Sequence, residues 1–187
     1  MKMRITKWAA IGAMAALAMA TGDARANGLA VKNFRQIFQS LAVSTGISPQ
    51  DREIGDYYAQ SYSRLPQRGD VDEIGSSGLL TTTALSGMFC GKMVVADSKL
   101  ASSVRRAHSA VDFTKGPTAL EADVQVKVIE AYFGLFLSRS PSMEEVGIVK
   151  EAFAELISNT ENKPEGTLAV LTGACTSVAS ALDSLIL

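Results

Sequence analysis

The sequence predicts an all-α protein of about six helices, arranged as two similar three-helix units that a disulfide joins. Three observations support this prediction. Apolar residues recur at helical spacing in most segments, the two halves share one order of helices and loops, and the only two cysteines lie in similar stretches, LSGMFCGK and LTGACTS. We interpret residues 27–187 as one domain, with repeat-like halves of about residues 30–108 and 118–187.

The first 26 residues have the anatomy of a secretory signal peptide. Three positive residues precede the uncharged apolar run from Trp8 to Ala20, and Ala24-Arg25-Ala26 fits the cleavage pattern. The run is shorter than the roughly 20 residues that span a bilayer, although an uncleaved anchor helix is the alternative. We therefore expect a periplasmic or extracellular protein of 161 residues, with no later segment apolar for long enough to cross a membrane.

Three helices are predicted in the first half. A helix over residues 33–44 carries four apolar residues at i, i+3, i+4 and i+7, namely Phe34, Ile37, Phe38 and Leu41. A second helix restarts at Ser48 and Pro49 and ends near residue 65, before a proline. The third, over residues 79–96, is rich in small residues, which let a neighbouring backbone come close. Residues 97–108 are predicted to continue as a short helix, and residues 108–118 as the linker between the halves.

The second half repeats this order. A long helical pattern covers residues 118–138, and Arg139-Ser140-Pro141 ends it. Ser142 and Glu145 have the spacing of a capping box, which begins a helix that runs to about residue 158. After a loop over residues 159–166, a last helix of small and apolar residues is predicted over residues 167–185.

Corresponding motifs in the two halves predict how the cysteines pair. Ser48-Pro49 matches Ser140-Pro141, and Leu85-Ser86-Gly87 matches Leu171-Thr172-Gly173. Cys90 and Cys175 follow these motifs with an offset of one residue, so they should lie on equivalent helices that face each other. Because disulfides persist in exported proteins and the cysteine count is even, we predict a Cys90–Cys175 disulfide. Two buried free thiols are the alternative.

The charge of the chain argues against nucleic-acid binding. Removal of residues 1–26 leaves 14 basic and 18 acidic residues and a net charge of −4. Such a chain has no global attraction to phosphate backbones or to an anionic membrane surface. We interpret the pair Arg105-Arg106 as a solvated helix face.

The sequence contains no complete set of residues for a catalytic site or a metal site. The single histidine, His108, could reach Asp112 in a dyad, but no nucleophile motif accompanies it, and we interpret it as a surface or linker residue. One histidine and two bridged cysteines cannot form an ordinary zinc site. No haem, nucleotide-binding or redox motif is present. We therefore predict no catalytic residue, no cofactor and no metal.

Carboxylates offer a second route to catalysis. Asp70, Asp72 and Glu73 lie in a loop with Arg68, and Glu144 and Glu145 lie in a first helical turn, where the helix dipole explains them. A glycosidase needs two carboxylates beside a sugar groove, which aromatic residues usually line, and the only tryptophan lies in the signal. These observations argue against a glycosidase. A small secreted hydrolase is kept as an alternative function.

Apolar residues suggest two further roles. The aromatic residues lie at helical spacing and are predicted to pack in the core, with a pocket for an apolar ligand as the alternative. The C-terminal residues Leu182, Leu185, Ile186 and Leu187 are either tucked into the core or offered to a protein partner. By elimination, we expect a non-catalytic binding or structural component of a bacterial envelope or surface assembly. A periplasmic carrier of a lipid or other apolar small molecule is the alternative.

Overall fold

A computed structural model describes residues 32–62 and 76–181. In this part of the chain the fold is all-helical, with six α-helices and no strand, which confirms the predicted fold class. The helices are α1 (Phe34–Thr45), α2 (Arg52–Tyr62), α3 (Ser76–Ser98), α4 (Ala122–Leu137), α5 (Met143–Ser158) and α6 (Pro164–Ala179). Two short 3-10 helices, Ser102–Val104 and Pro117–Ala119, lie between α3 and α4.

Local sequence signals set both ends of α1 and the start of α2. Asn33 and Gln36 form a capping box at the start of α1, and Gly46, with a φ of +69°, ends the helix in the left-handed conformation that glycine favours. The second helix begins at Arg52, later than predicted. Its first turn is capped by the Asp51 carboxylate, which accepts a hydrogen bond from the Ile54 N–H at 3.3 Å.

The connection from α3 to α4 is less helical than predicted. Helix α3 ends at Ser98, and residues 97–108 contain only the 3-10 helix Ser102–Val104 in place of the short α-helix expected there. Helix α4 begins at Ala122 because Pro117–Ala119 form a separate 3-10 turn. The connection between the two helices, residues 99–121, is here called the linker, and it is an ordered segment of turns.

Helix α5 follows its predicted signals closely, whereas α6 ends at Ala179, earlier than the predicted end at residue 185. The capping box of Ser142 and Glu145 is present, and α5 ends at Ser158 as expected. Helix α6 begins three residues before the predicted start, because Pro164 suits a first helical turn.

One hydrophobic core runs through the described helices. Helix α3 packs most extensively against α6 and also contacts α1 and α2, whereas α4, α5 and α6 pack against one another. Most of the aromatic residues predicted to lie in the core are buried there, namely Phe34, Phe38, Phe89, Tyr132, Phe133, Phe136 and Phe153. Tyr57 and Tyr58 are partly buried against this core, and Tyr62 is 42% exposed.

Three sequence predictions lie outside the described residues. They concern the signal peptide over residues 1–26, the carboxylates Asp70, Asp72 and Glu73, and the apolar residues Leu182, Leu185, Ile186 and Leu187.

Candidate functional site

The interface between α3 and α6, here called the α3–α6 seam, contains the disulfide. Cys90 and Cys175 are bonded, with Cα atoms 5.8 Å apart, and both side chains are fully buried. The glycines of α3 face the partner helix as predicted: a Cβ on Gly87 would lie 3.6 Å from the Thr176 hydroxyl oxygen, and one on Gly91 would lie 3.6 Å from the Thr172 methyl group. These are ordinary contact distances. The small residues therefore let the helices approach closely, but an alanine at either position would not clash.

A second feature, here called the linker cluster, consists of Asp97, Arg105, Arg106, His108 and Tyr132, and of these Asp97, His108 and Tyr132 are buried. Asp97, near the end of α3, accepts hydrogen bonds from the backbone N–H groups of the three linker residues 106–108. The His108 Nδ1 lies 2.8 Å from an Asp97 oxygen, and its Nε2 lies 2.8 Å from the Tyr132 hydroxyl. The cluster therefore ties the linker to α3 and to α4.

The Asp97 carboxylate is ionised at neutral pH. Burial alone would raise its pKa, but hydrogen bonds from His108 and from the backbone, together with the charge of His108, lower the pKa from 3.8 to about 2. Because an ionised carboxylate can only accept, His108 Nδ1 carries the hydrogen between them. Burial, followed by the nearby charge of Asp97, raises the pKa of Tyr132 well above 10, so Tyr132 stays a neutral phenol.

The Tyr132 hydroxyl completes the chain of polar groups. Its oxygen lies 3.1 Å from the Leu171 carbonyl of α6. With a neutral His108 ring the hydroxyl donates to Nε2, and with a protonated ring it accepts from Nε2 and donates to Leu171. In both states each ring nitrogen has a hydrogen-bond partner, so the cluster joins α3, the linker and α4, and with a protonated ring the hydroxyl hydrogen also reaches Leu171 of α6.

The pair Arg105-Arg106 is not the solvated helix face that the sequence predicted. The Arg105 side chain donates to the carbonyls of Leu100, His108 and Val111 and lies over the Phe113 ring. The Arg106 side chain donates to the carbonyls of Val43 and Ser44, each at 2.6 Å. Those carbonyls belong to the last turn of α1, where a cation is favoured.

His108 lies in the connection between α3 and α4, which agrees with the interpretation as a linker residue, but the interpretation as a surface residue is wrong. The side chain has no exposed surface, and its acid partner is Asp97, whereas the exposed Asp112 bonds to Thr114. A histidine whose two ring nitrogens pair with α3 and α4 can be buried because the pairing offsets the loss of hydration.

An open groove lies between α1 and α4, beside the linker cluster. This α1–α4 groove has a volume of about 520 Å³. Its lining residues are Lys32, Gln39, Ser40, Val43, Ser44, Arg106, Gly134, Leu135, Phe136 and Ser138. The Ser44 hydroxyl donates to the Leu135 carbonyl at 2.8 Å and joins the two walls. The lining contains two cationic side chains and no acidic one, and sequence reasoning did not find it.

Within residues 32–62 and 76–181, no group of three or more histidine, cysteine or acidic residues could hold a metal ion. Glu145 completes the α5 capping box and pairs with Arg139, which accounts for it structurally. Helix α3 is long and apolar enough to cross a membrane, contrary to the expectation for later segments. This is weak evidence for a span, because a core helix of a bundle meets the same criteria.

Comparisons with known proteins provide no relative. No protein-family model, no curated protein and no solved structure matches this chain.

Proposed function

We propose that this protein is an exported, non-catalytic binding or structural component of a bacterial cell-envelope or surface assembly, and that it acts through protein–protein contacts. The observation that carries the proposal is the buried Cys90–Cys175 disulfide. Disulfides persist in oxidising compartments, so the bond fits an exported protein. Residues 1–26, which have the composition of a secretory signal, supply the route.

Exposed apolar side chains support a role in binding. Within residues 32–62 and 76–181, four large apolar residues are exposed over more than 60% of their surface, namely Val43, Leu80, Val104 and Met143. The apolar residues Leu182, Leu185, Ile186 and Leu187 are proposed to contribute to the same role.

We also propose that α1–α3 and α4–α6 are two copies of one three-helix unit. The packing supports this proposal, because α1 contacts α4 and α3 contacts α6, so that elements of equal position meet. The disulfide joins the third helix of each unit. An experimental structure in which the two units failed to superpose would contradict it.

The experiment that tests the proposed function is crosslinking of the tagged full-length protein in cells, followed by sizing and mass spectrometry. We expect a discrete species larger than the monomer, with the same few envelope proteins in each preparation. A variant that lacks residues 2–26 serves as the control, because proteins that crosslink to it in the cytoplasm are not specific partners.

A monomer in every condition would overturn the assembly role. Extraction of the purified protein with organic solvent would then test the alternative carrier role, because a carrier retains its apolar ligand through purification.

A further inference from the structure

We propose that the α1–α4 groove binds an acidic peptide segment of the protein partner, in which a carboxylate stands next to apolar side chains. This inference rests on the proposed function and names the surface and the chemistry that the partner would use. Three features of the groove carry it, namely the fixed guanidinium of Arg106, the charge of the lining, and the apolar wall beside that charge.

Arg106 is held in place before any ligand binds. Its Nε–H and one Nη2–H donate to the Ser44 and Val43 carbonyls, and its backbone N–H donates to Asp97 at 2.9 Å. A guanidinium has five N–H groups, so three remain without a bonded acceptor among the described residues. A guanidinium with unused donors is suited to carboxylate recognition, and its fixed position reduces the entropy lost on binding.

The charge of the groove favours an anion. Lys32 lies at the same groove as Arg106, and partial burial lowers the pKa of Lys32. The two cationic side chains make the potential in the groove positive. No acidic side chain lines the groove, so an acidic ligand meets no like charge there.

The remaining lining favours a peptide over a lipid chain. Val43 is 75% exposed and lies beside Leu135 and Phe136, which gives the groove an apolar wall next to its charge. Gln39, Ser40 and Ser138 add polar groups along the same open surface. An open groove with mixed lining fits a peptide, because an acyl chain needs a closed apolar cavity.

The test uses NMR titration of the full mature protein, labelled with ¹⁵N, with two blocked peptides. The first probe is acetyl-ALDLA-amide, and the second has asparagine in place of the aspartate. We expect the acidic peptide to shift the amide signals of Gln39, Ser44 and Arg106 and to bind about tenfold more tightly than the asparagine peptide at low salt. Added sodium chloride should weaken its binding, because an exposed charge pair is screened.

Two matched variants localise the effect. Gln39→Glu places a negative charge in the groove at an exposed position, and Gln50→Glu makes the same change at an exposed position outside it. We expect Gln39→Glu to weaken the acidic peptide several-fold and Gln50→Glu to leave its affinity unchanged. Thermal unfolding of both variants checks that the fold is retained.

Several outcomes would overturn the inference. These are equal affinity for the two peptides, shifts confined to another surface, no shift at millimolar peptide, or equal weakening by the two variants. A third arm adds sodium acetate alone: if acetate saturates the groove at the same concentration as the peptide, the site is one for small anions. Failure of the peptide would leave the crosslinked species expected for the proposed function unaffected, so the two proposals fail separately.

Discussion

The α3–α6 seam and the linker cluster both join the first half of the chain to the second, but they do so by opposite chemistry. The seam consists of small side chains, van der Waals contacts and one covalent bond between fully buried sulfurs. The linker cluster consists of directed hydrogen bonds around the buried carboxylate of Asp97 and the ring of His108. One connection therefore depends on redox conditions and the other on the protonation of its groups.

This difference indicates how each connection resists change. A covalent staple acts largely on the unfolded chain, whose freedom it limits, and it tolerates small changes in the packing around it. A buried polar network acts in the folded state, and the loss of one partner leaves the others desolvated and unpaired. Substitutions in the two regions should therefore have effects of different size and different pH dependence.

The largest effect is expected from removal of the disulfide. The bond closes a loop between residues 85 positions apart, for which the chain-entropy estimate is about 4.5 kcal/mol. We expect the double variant Cys90→Ala/Cys175→Ala to lose about this much free energy of unfolding, as measured by urea denaturation.

The wild-type protein after reduction in urea serves as the control, because it lacks the bond but keeps both side chains. In native buffer the wild-type disulfide should resist reductant, since both sulfurs are inaccessible. A loss below about 1 kcal/mol in the double variant would show that the noncovalent contacts between the halves hold them together without the bond.

The next largest effect is expected from Asp97→Asn. This change removes the charge that pairs with His108 and weakens the bonds to the backbone N–H groups of Arg106 and Ala107. Breaking a buried pair from one side typically costs about 3 kcal/mol or more. Urea denaturation at pH 7 measures this loss, and an unchanged midpoint would contradict the role assigned to the carboxylate.

The same residue predicts the acid sensitivity of the fold. The pKa of Asp97 falls from 3.8 to about 2 on folding, so its stabilisation is fully present above pH 3.8 and is lost as the pH falls towards 2. The difference corresponds to roughly 2 kcal/mol. Urea midpoints between pH 6 and pH 2 should fall for the wild type, and the part of that fall due to Asp97 should be missing in Asp97→Asn.

Sequence reasoning succeeded where the signals are local. The capping box of Ser142 and Glu145 lies within one turn, and the cysteine count left a single intramolecular pairing. The burial of His108 was missed because its partners are distant in sequence: Asp97 lies 11 residues away and Tyr132 lies 24 residues away. Periodicity places a residue on a helix face but gives no information on which distant polar groups meet.

The α1–α4 groove was missed for the same reason. Arg106 lies 63 residues from Val43, whose carbonyl it binds, and a pair of arginines is most often solvated. One signal in the sequence could have pointed to the linker cluster. Asp97 lies at the end of an apolar helix, where a buried carboxylate needs a hydrogen-bond partner. It would not have identified that partner.

A smaller effect is expected from Tyr132→Phe. The change keeps the ring in the core and removes the hydroxyl that contacts the His108 Nε2 and the Leu171 carbonyl. The ring nitrogen is then buried without a partner, at a cost of about 1–2 kcal/mol. Thermal unfolding measures the loss. Phe133→Leu, which changes the side-chain volume on the same helix, is the control for lost packing. We expect it to leave the acid dependence of stability as in the wild type.

The smallest effect, and the only gain, is expected from Gly87→Ala in the seam. The new Cβ would lie 3.6 Å from the Thr176 hydroxyl oxygen, an ordinary contact, while alanine favours the helix by about 0.5–1 kcal/mol over glycine. Gly173→Ala is the matched variant on α6, at the position that corresponds to Gly87 in the proposed repeat. There the Cβ would lie 3.0 Å from a Leu156 methyl group, which must move, so the gain should be smaller or absent. Urea midpoints of the two variants measure these changes in stability. A loss of stability in Gly87→Ala would mean that the seam requires glycine at this position and does not tolerate small changes in its packing.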